Sequence, residues 1–65
     1  MLSAMEKDGL INRARGFKIK VSDGALYING EHQPTGIYNR YSRYFDNKNI
    51  IFKGKGDNLD IRITN

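Results

Sequence analysis

The run Phe17-Lys18-Ile19-Lys20-Val21-Ser22-Asp23-Gly24-Ala25-Leu26-Tyr27-Ile28 decides how this chain folds. Apolar Phe17, Ile19 and Val21 alternate with Lys18 and Lys20, the two-residue period of a strand with one buried face. Asp23-Gly24 then supplies residues favoured in a type I′ turn, where both central positions need positive φ. With that dipeptide as the loop, Val21 faces Leu26 and Ile19 faces Ile28, while Lys20 and Lys18 stand opposite Tyr27 and Asn29 on the other side. A slip of one residue would mix the two faces, so turn chemistry and side-chain alternation point to the same register.

Downstream, Asn29-Gly30 closes the second strand, and Glu31-His32-Gln33 reads as a loop ahead of Pro34, which suits a first helical position. At about 100° per residue, Ile37, Tyr38, Tyr41, Tyr44 and Phe45 fall within an arc of roughly 120°. Asn39, Arg40, Ser42 and Arg43 lie outside it. This spacing predicts an amphipathic helix whose aromatic stripe is core, with Tyr38, at the edge of the arc, the most exposed of its tyrosines. Gly36 weakens the first turn. Asp46-Asn47-Lys48-Asn49 is a polar stop, after which Ile50-Ile51-Phe52 and Leu59-Asp60-Ile61-Arg62-Ile63 read as two more strands. Taking Gly56-Asp57 as their tight loop pairs Phe52 with Ile61 and Ile50 with Ile63 on one face. The same register sets Lys53 opposite Asp60 on the other, a favourable cross-strand pair.

Upstream, Ser3 and Glu6 have the spacing of a capping box, and Gly9 can take positive φ just past a short helix from about Ala4 to Asp8. So short a helix is unstable alone, so Leu2, Met5, Leu10 and Ile11 are expected to be pinned to the rest of the fold. The whole reads as one α+β domain, residues 1–65, in the order helix, hairpin, helix, hairpin (αββαββ). Its antiparallel sheet would have up to four strands with the helices on one face, its strand order left open.

A chain of 65 residues is near the lower size at which a core holds without disulfides, metal or a partner. It has no cysteine, which excludes a disulfide framework, a thiolate zinc site and a thiol nucleophile. Eleven Lys and Arg against seven Asp and Glu give a charge of +4, scattered without a block of like sign. That pattern disfavours a basic nucleic-acid arm or an electrostatic membrane anchor. Glu6, Lys7 and Asp8 interrupt the place where a signal peptide would be apolar, and no apolar stretch approaches the roughly 20 residues that span a bilayer. Soluble behaviour, with no transmembrane segment, is expected.

His32 is the only histidine and lacks further ligands at suitable spacing, so it reads as an exposed loop residue. Most of the carboxylates (Glu6, Asp8, Asp23, Glu31, Asp46, Asp57 and Asp60) occupy predicted caps, turns or loops that already explain their type. A chain this short also offers little volume for a substrate pocket of several hundred Å³. Gly54-Lys55-Gly56 is a turn, because no helix follows it to hold a phosphate. No catalytic, cofactor-binding or metal-binding residue is assigned, no small-molecule ligand is expected, and the domain reads as non-enzymatic.

The outer sheet face gathers Lys18, Lys20, Tyr27, Ile51, Lys53 and Arg62, with Asp60 as its acid. Some single-strand RNA readers stack bases and track phosphates on such a surface. Lys18, Lys20, Tyr27, Lys53 and Arg62 are therefore the candidate nucleic-acid contacts. RNA-recognition sheets usually present two or three aromatics, however, so a solvated or partner-covered face is the preferred reading.

Lys7-Asp8-Gly9-Leu10-Ile11, then Leu26-Tyr27-Ile28-Asn29-Gly30 with Gln33-Pro34, then Tyr38 and Tyr41 on a helix, resemble a small C-terminal domain of bacterial envelope proteins. The order is similar to tails of antirepressor-type membrane metallopeptidase sensors, in which a "KDGLI" helix end, an "L-x-I-N-G-K-x-Q" strand and a "Y-x-K-Y" helix recur. It spans about residues 6 to 45 and leaves the last hairpin outside. This chain departs from it at Glu31-His32, where a lysine is usual, and at Asn39-Arg40 before Tyr41. The resemblance implies an envelope or periplasmic location and no catalytic residue, since peptidase chemistry would belong to a separate zinc domain. Without it, the chain reads as cytoplasmic. The function expected is that of an accessory domain working by contact with a protein partner or by self-association through open sheet edges. The alternative is a small basic nucleic-acid-binding domain using the exposed sheet face.

Overall fold

In the computed structural model, which describes residues 1–45 and 48–63, the chain begins with α1 (Leu2–Lys7), β1 (Phe17–Ser22), β2 (Ala25–Ile28) and β3 (Glu31–His32). It continues through α2 (Thr35–Tyr41), a 3₁₀ turn (Ser42–Tyr44), β4 (Ile50–Lys55) and β5 (Asn58–Ile63). The fold is α+β, with one antiparallel sheet in the order β3-β2-β1-β4-β5. Both hairpin registers are those read from the sequence: Ile19 pairs with Ile28 and Val21 with Leu26, while Phe52 pairs with Ile61, Ile50 with Ile63 and Lys53 with Asp60. Asp23 and Gly24 have φ of 51° and 78°, as a type I′ turn requires.

β1 joins the two hairpins by pairing with β4 as well, setting Ile19 opposite Phe52 and Lys20 opposite Ile51. Asp23 N–H donates to Asn49 Oδ1 at 3.1 Å, clamping the start of β4 to the end of β1.

The sheet has five strands, not four, because Glu31-His32 is a strand and not a loop. Asn29 and Gly30 take φ of 53° and 84° and form a second tight turn, which sets Ile28 against Glu31 and Tyr27 against His32. Gln33 N–H extends that ladder by donating to Leu26 O at 2.8 Å.

The capping box does not form. α1 begins at Leu2, earlier than expected, with Met1 as N-cap and no side-chain cap bond. Arg13 competes for both groups: its N–H donates to Glu6 Oε2 at 2.9 Å and its guanidinium to Ser3 Oγ at 3.2 Å. Arg13 O also accepts from Gly56 N–H at 2.8 Å, so this loop ties α1 to the β4–β5 turn. At the other end, Gly9 N–H donates to Glu6 O and Leu10 N–H to Met5 O, the paired closing bonds of a Schellman cap around Gly9 at φ 79°.

Phe17, Ile19, Val21, Leu26, Ile28 and Ile50 point from the sheet into one core with Met5, Ile11, Tyr41 and Phe45, so both helical segments lie on the same face. Within the helical stripe the exposure differs from expectation. Tyr38 is half-buried, its ring 5.9 Å from that of Phe45, whereas Tyr44 is exposed. The helix tightens to 3₁₀ after Tyr41, and the larger turn per residue swings Tyr44 outward. The polar stop falls partly outside the described residues, at Asp46 and Asn47.

The shared core stops short of β5. Ile61 and Ile63 were expected within it, yet Leu59, Ile61 and Ile63 are 50%, 51% and 58% exposed, and α2 packs over β2. A helix about 10 Å wide covers roughly two strands spaced about 4.8 Å apart. Two short helical segments therefore leave the fifth strand bare.

Phe17 faces Gly54 across the β1–β4 ladder. A Cβ at Gly54 would meet the Phe17 ring at 2.8 Å and the Asn58 carbonyl at 2.9 Å. Gly54→Ala is expected to destabilise the fold by about 1–3 kcal/mol through overpacking. In the same urea titrations Ile19→Ala should cost about 2–5 kcal/mol, and Ile61→Ala less than about 1 kcal/mol because its side chain is already half in water. An Ile61 cost equal to that of Ile19 would mean that β5 is covered in the monomer.

Candidate interaction surfaces

Strand alternation carries the pairing partners of β1 across the whole sheet, so the residues opposite one another on the outer face form rows. One row crosses all five strands as His32, Tyr27, Lys20, Ile51 and Arg62. The next holds Lys18, Lys53 and Asp60. Every nucleic-acid candidate from the sequence, Lys18, Lys20, Tyr27, Lys53 and Arg62, thus shares one face.

His32 was missed. The turn that places it, Asn29-Gly30, repeats the chemistry of Asp23-Gly24 and was the available signal. Its ring meets Tyr27 edge-on, with centroids 5.3 Å apart at 64°, and Lys20 Nζ lies 6.0 Å from the Tyr27 ring centre. Asn29 holds this corner: its N–H donates to Lys18 O at 2.8 Å and its Oδ1 accepts from Lys18 N–H at 3.0 Å. Two hollows of about 240 Å³ each flank Lys18, one reaching Tyr27 and Gly30 and the other Ile51 and Arg62. Lys18 and Lys53 stand directly opposite, a like-charge pair that works against the sheet and that an anion above it would relieve.

The second surface is β5 itself, where exposed Leu59, Ile61 and Ile63 point to the core side and Asp60 and Arg62 to the outer side. Arg62 Nε sits 3.7 Å from Asp60 Oδ2, with both side chains well exposed. Beside Leu59 lies a concavity of about 460 Å³, walled by Phe17 and Gly54. It is larger than the chain length suggested.

A polar cluster joins the helices. Asp8 Oδ2 accepts from the Tyr41 hydroxyl and from Arg40 Nη1 at 3.0 Å. These donors offset the placing of a carboxylate at the end of α1, where the helix carbonyls disfavour negative charge. The Tyr41 hydrogen bond is the main cause that lowers the Asp8 pKa, aided by Arg40 and Lys7 against partial desolvation. Burial, followed by the hydrogen bond to Asp8, raises the Tyr41 pKa.

Among the described residues, no group of three or more His, Asp or Glu side chains is placed to hold a metal ion, and no helix is long and apolar enough to cross a membrane. Compared with protein-family models, curated proteins and solved structures, the chain matches none of them.

The folded Asp8 pKa lies below its unfolded value, so the stability it contributes is present above about pH 4 and lost as pH falls through the folded pKa. Tyr41 has the opposite sign: its contribution is present below about pH 10 and lost as pH rises through its raised pKa. In urea midpoints measured against pH, Asp8→Asn should flatten the acid limb and Tyr41→Phe both limbs. Unchanged limbs in both variants would show that the cluster does not form in solution.

Proposed function

We propose that this chain is a non-enzymatic interaction domain that works by surface contact, with β5 and the apolar row upon it as its contact surface. The observation that supports this most is the placing of Leu59, Ile61 and Ile63 side by side in solvent on an open strand. Isolated exposed aliphatics are ordinary on protein surfaces, but a row of them along an unpaired edge is an aggregation hazard unless something covers it. The resemblance to tails of bacterial envelope proteins supports an accessory role beside a larger protein, in the envelope or periplasm. A photo-crosslinking benzoylphenylalanine at position 61, irradiated in the native host, is expected to give polypeptide adducts that the same group at position 3 does not. Equal yields at the two positions would remove β5 as the contact surface.

A second reading is favoured by the opposed Lys18 and Lys53 and by the Tyr27–His32 pair: the outer face binds single-stranded nucleic acid by phosphate contact and base stacking. Four cations there, Lys18, Lys20, Lys53 and Arg62, would give log affinity against log salt a slope of about −3, at roughly 0.7 per phosphate contacted. Replacing Lys18 and Lys53 by Ala should remove about half of that slope. No mobility shift with mixed RNA and DNA oligonucleotides at low salt would end this reading.

A further inference from the structure

We infer that the partner of the β5 edge is a second copy of this chain, joined β5 to β5 antiparallel about a two-fold axis at Ile61; this rests on the reading of β5 as a contact surface. The phase of the backbone supplies the first support. The bond from Asn29 N–H to Lys18 O directs the Lys18 backbone groups toward β2. Antiparallel ladders alternate, so those of Phe17, Ile19 and Val21 face β4. Carrying the alternation through the β1–β4 and β4–β5 registers turns Asn58, Asp60 and Arg62 toward β4. The backbone N–H and C=O groups of Leu59, Ile61 and Ile63 then point off the sheet. An axis at Ile61 sets Ile61 against its own copy and Leu59 against the copy's Ile63, so that these outward groups meet one another in register. The apolar rows of the two copies then lie on the same face of one continuous sheet.

Charge selects that register. With the axis at Ile61, Asp60 of each copy faces Arg62 of the other, giving two opposite-charge pairs on the outer face. An axis one residue earlier sets Asp60 against Asp60; one residue later, Arg62 meets Arg62. Like charges directly across strands are unfavourable, so Leu59-Asp60-Ile61-Arg62-Ile63 is self-complementary about its middle residue and about neither neighbour. The Asp60–Arg62 contact within one chain is loose, at 3.7 Å, and both groups are available to exchange partners.

The opposite edge does not compete. β3 has two residues, Glu31 and His32, with Pro34 close behind, so it offers too short a template for an open-ended β3-to-β5 ladder. A two-fold β5 contact closes on itself as a dimer.

The test is a pair of charge-reversed variants of the intact chain, Asp60→Arg and Arg62→Asp, followed by sedimentation equilibrium over a concentration series. Each variant alone would place like charges across the axis twice and is expected to weaken self-association by about tenfold or more. An equimolar mixture of the two restores opposite charges at both positions and should recover wild-type affinity to within about threefold. A wild-type chain that stays monomeric throughout, or variants that dimerise as well as wild type, would overturn the inference. So would a mixture no tighter than either variant. Far-UV circular dichroism of dilute samples checks that both variants fold. The benzoylphenylalanine at position 61 separates the two levels: an adduct of twice the chain mass supports the dimer, and an adduct to a different protein overturns the dimer while leaving the contact reading intact. With no adduct, both fall.

Discussion

The pairing of β1 with β4 is the contact on which the rest of the molecule depends. Alone, β4–β5 would be a two-stranded ribbon and β1–β2 a ribbon with only the two-residue β3 beside it, both marginal in water however good their turns. The β1–β4 ladder merges them, so that Ile19 is flanked by Ile28 on one side and Phe52 on the other. It closes a loop of chain that includes β2, β3 and α2, an entropic cost that grows only slowly with loop length. The return is one sheet wide enough to seat Tyr41, Phe45, Met5 and Ile11 on a single face.

Both exposed surfaces follow from the same ladder. Because facing residues share a side of the sheet, β1 sets the phase for every other strand, and the β1–β4 register joins Lys18 and Lys20 to Lys53 and Arg62 on the outer side. The same phase puts Leu59, Ile61 and Ile63 on the core side, but beyond the reach of the helices. One surface is therefore basic with two rings, and the other is an apolar row on an open edge.

The features legible in the sequence were local. Asp23-Gly24 and Gly56-Asp57 named their turns, alternation named the faces, and together they gave both hairpin registers residue by residue. The features missed depended on competition or on distance. Glu31-His32 carries no apolar alternation, so the strand was visible only through Asn29-Gly30, and His32 went unplaced with it. Ser3 and Glu6 had a plausible local use that Arg13, ten and seven residues away, took instead. The bare state of β5 was beyond any pattern in β5 itself, since Leu59, Ile61 and Ile63 alternate as core residues do; it follows from strand order and from how many strands two short helices cover. Tyr44 left the core for a similar reason, a change of helical pitch that side-chain spacing does not encode.

The β1–β4 register can be read directly by nuclear magnetic resonance. In an antiparallel ladder the pairs that do not exchange hydrogen bonds bring their Cα atoms to about 4.5 Å and their Hα atoms close together. Strong Hα–Hα cross-peaks are expected between Lys18 and Lys53 and between Lys20 and Ile51. Cross-peaks displaced by two residues along β4, or linking β4 to β2 in place of β1, would contradict the sheet order from which both surfaces are built.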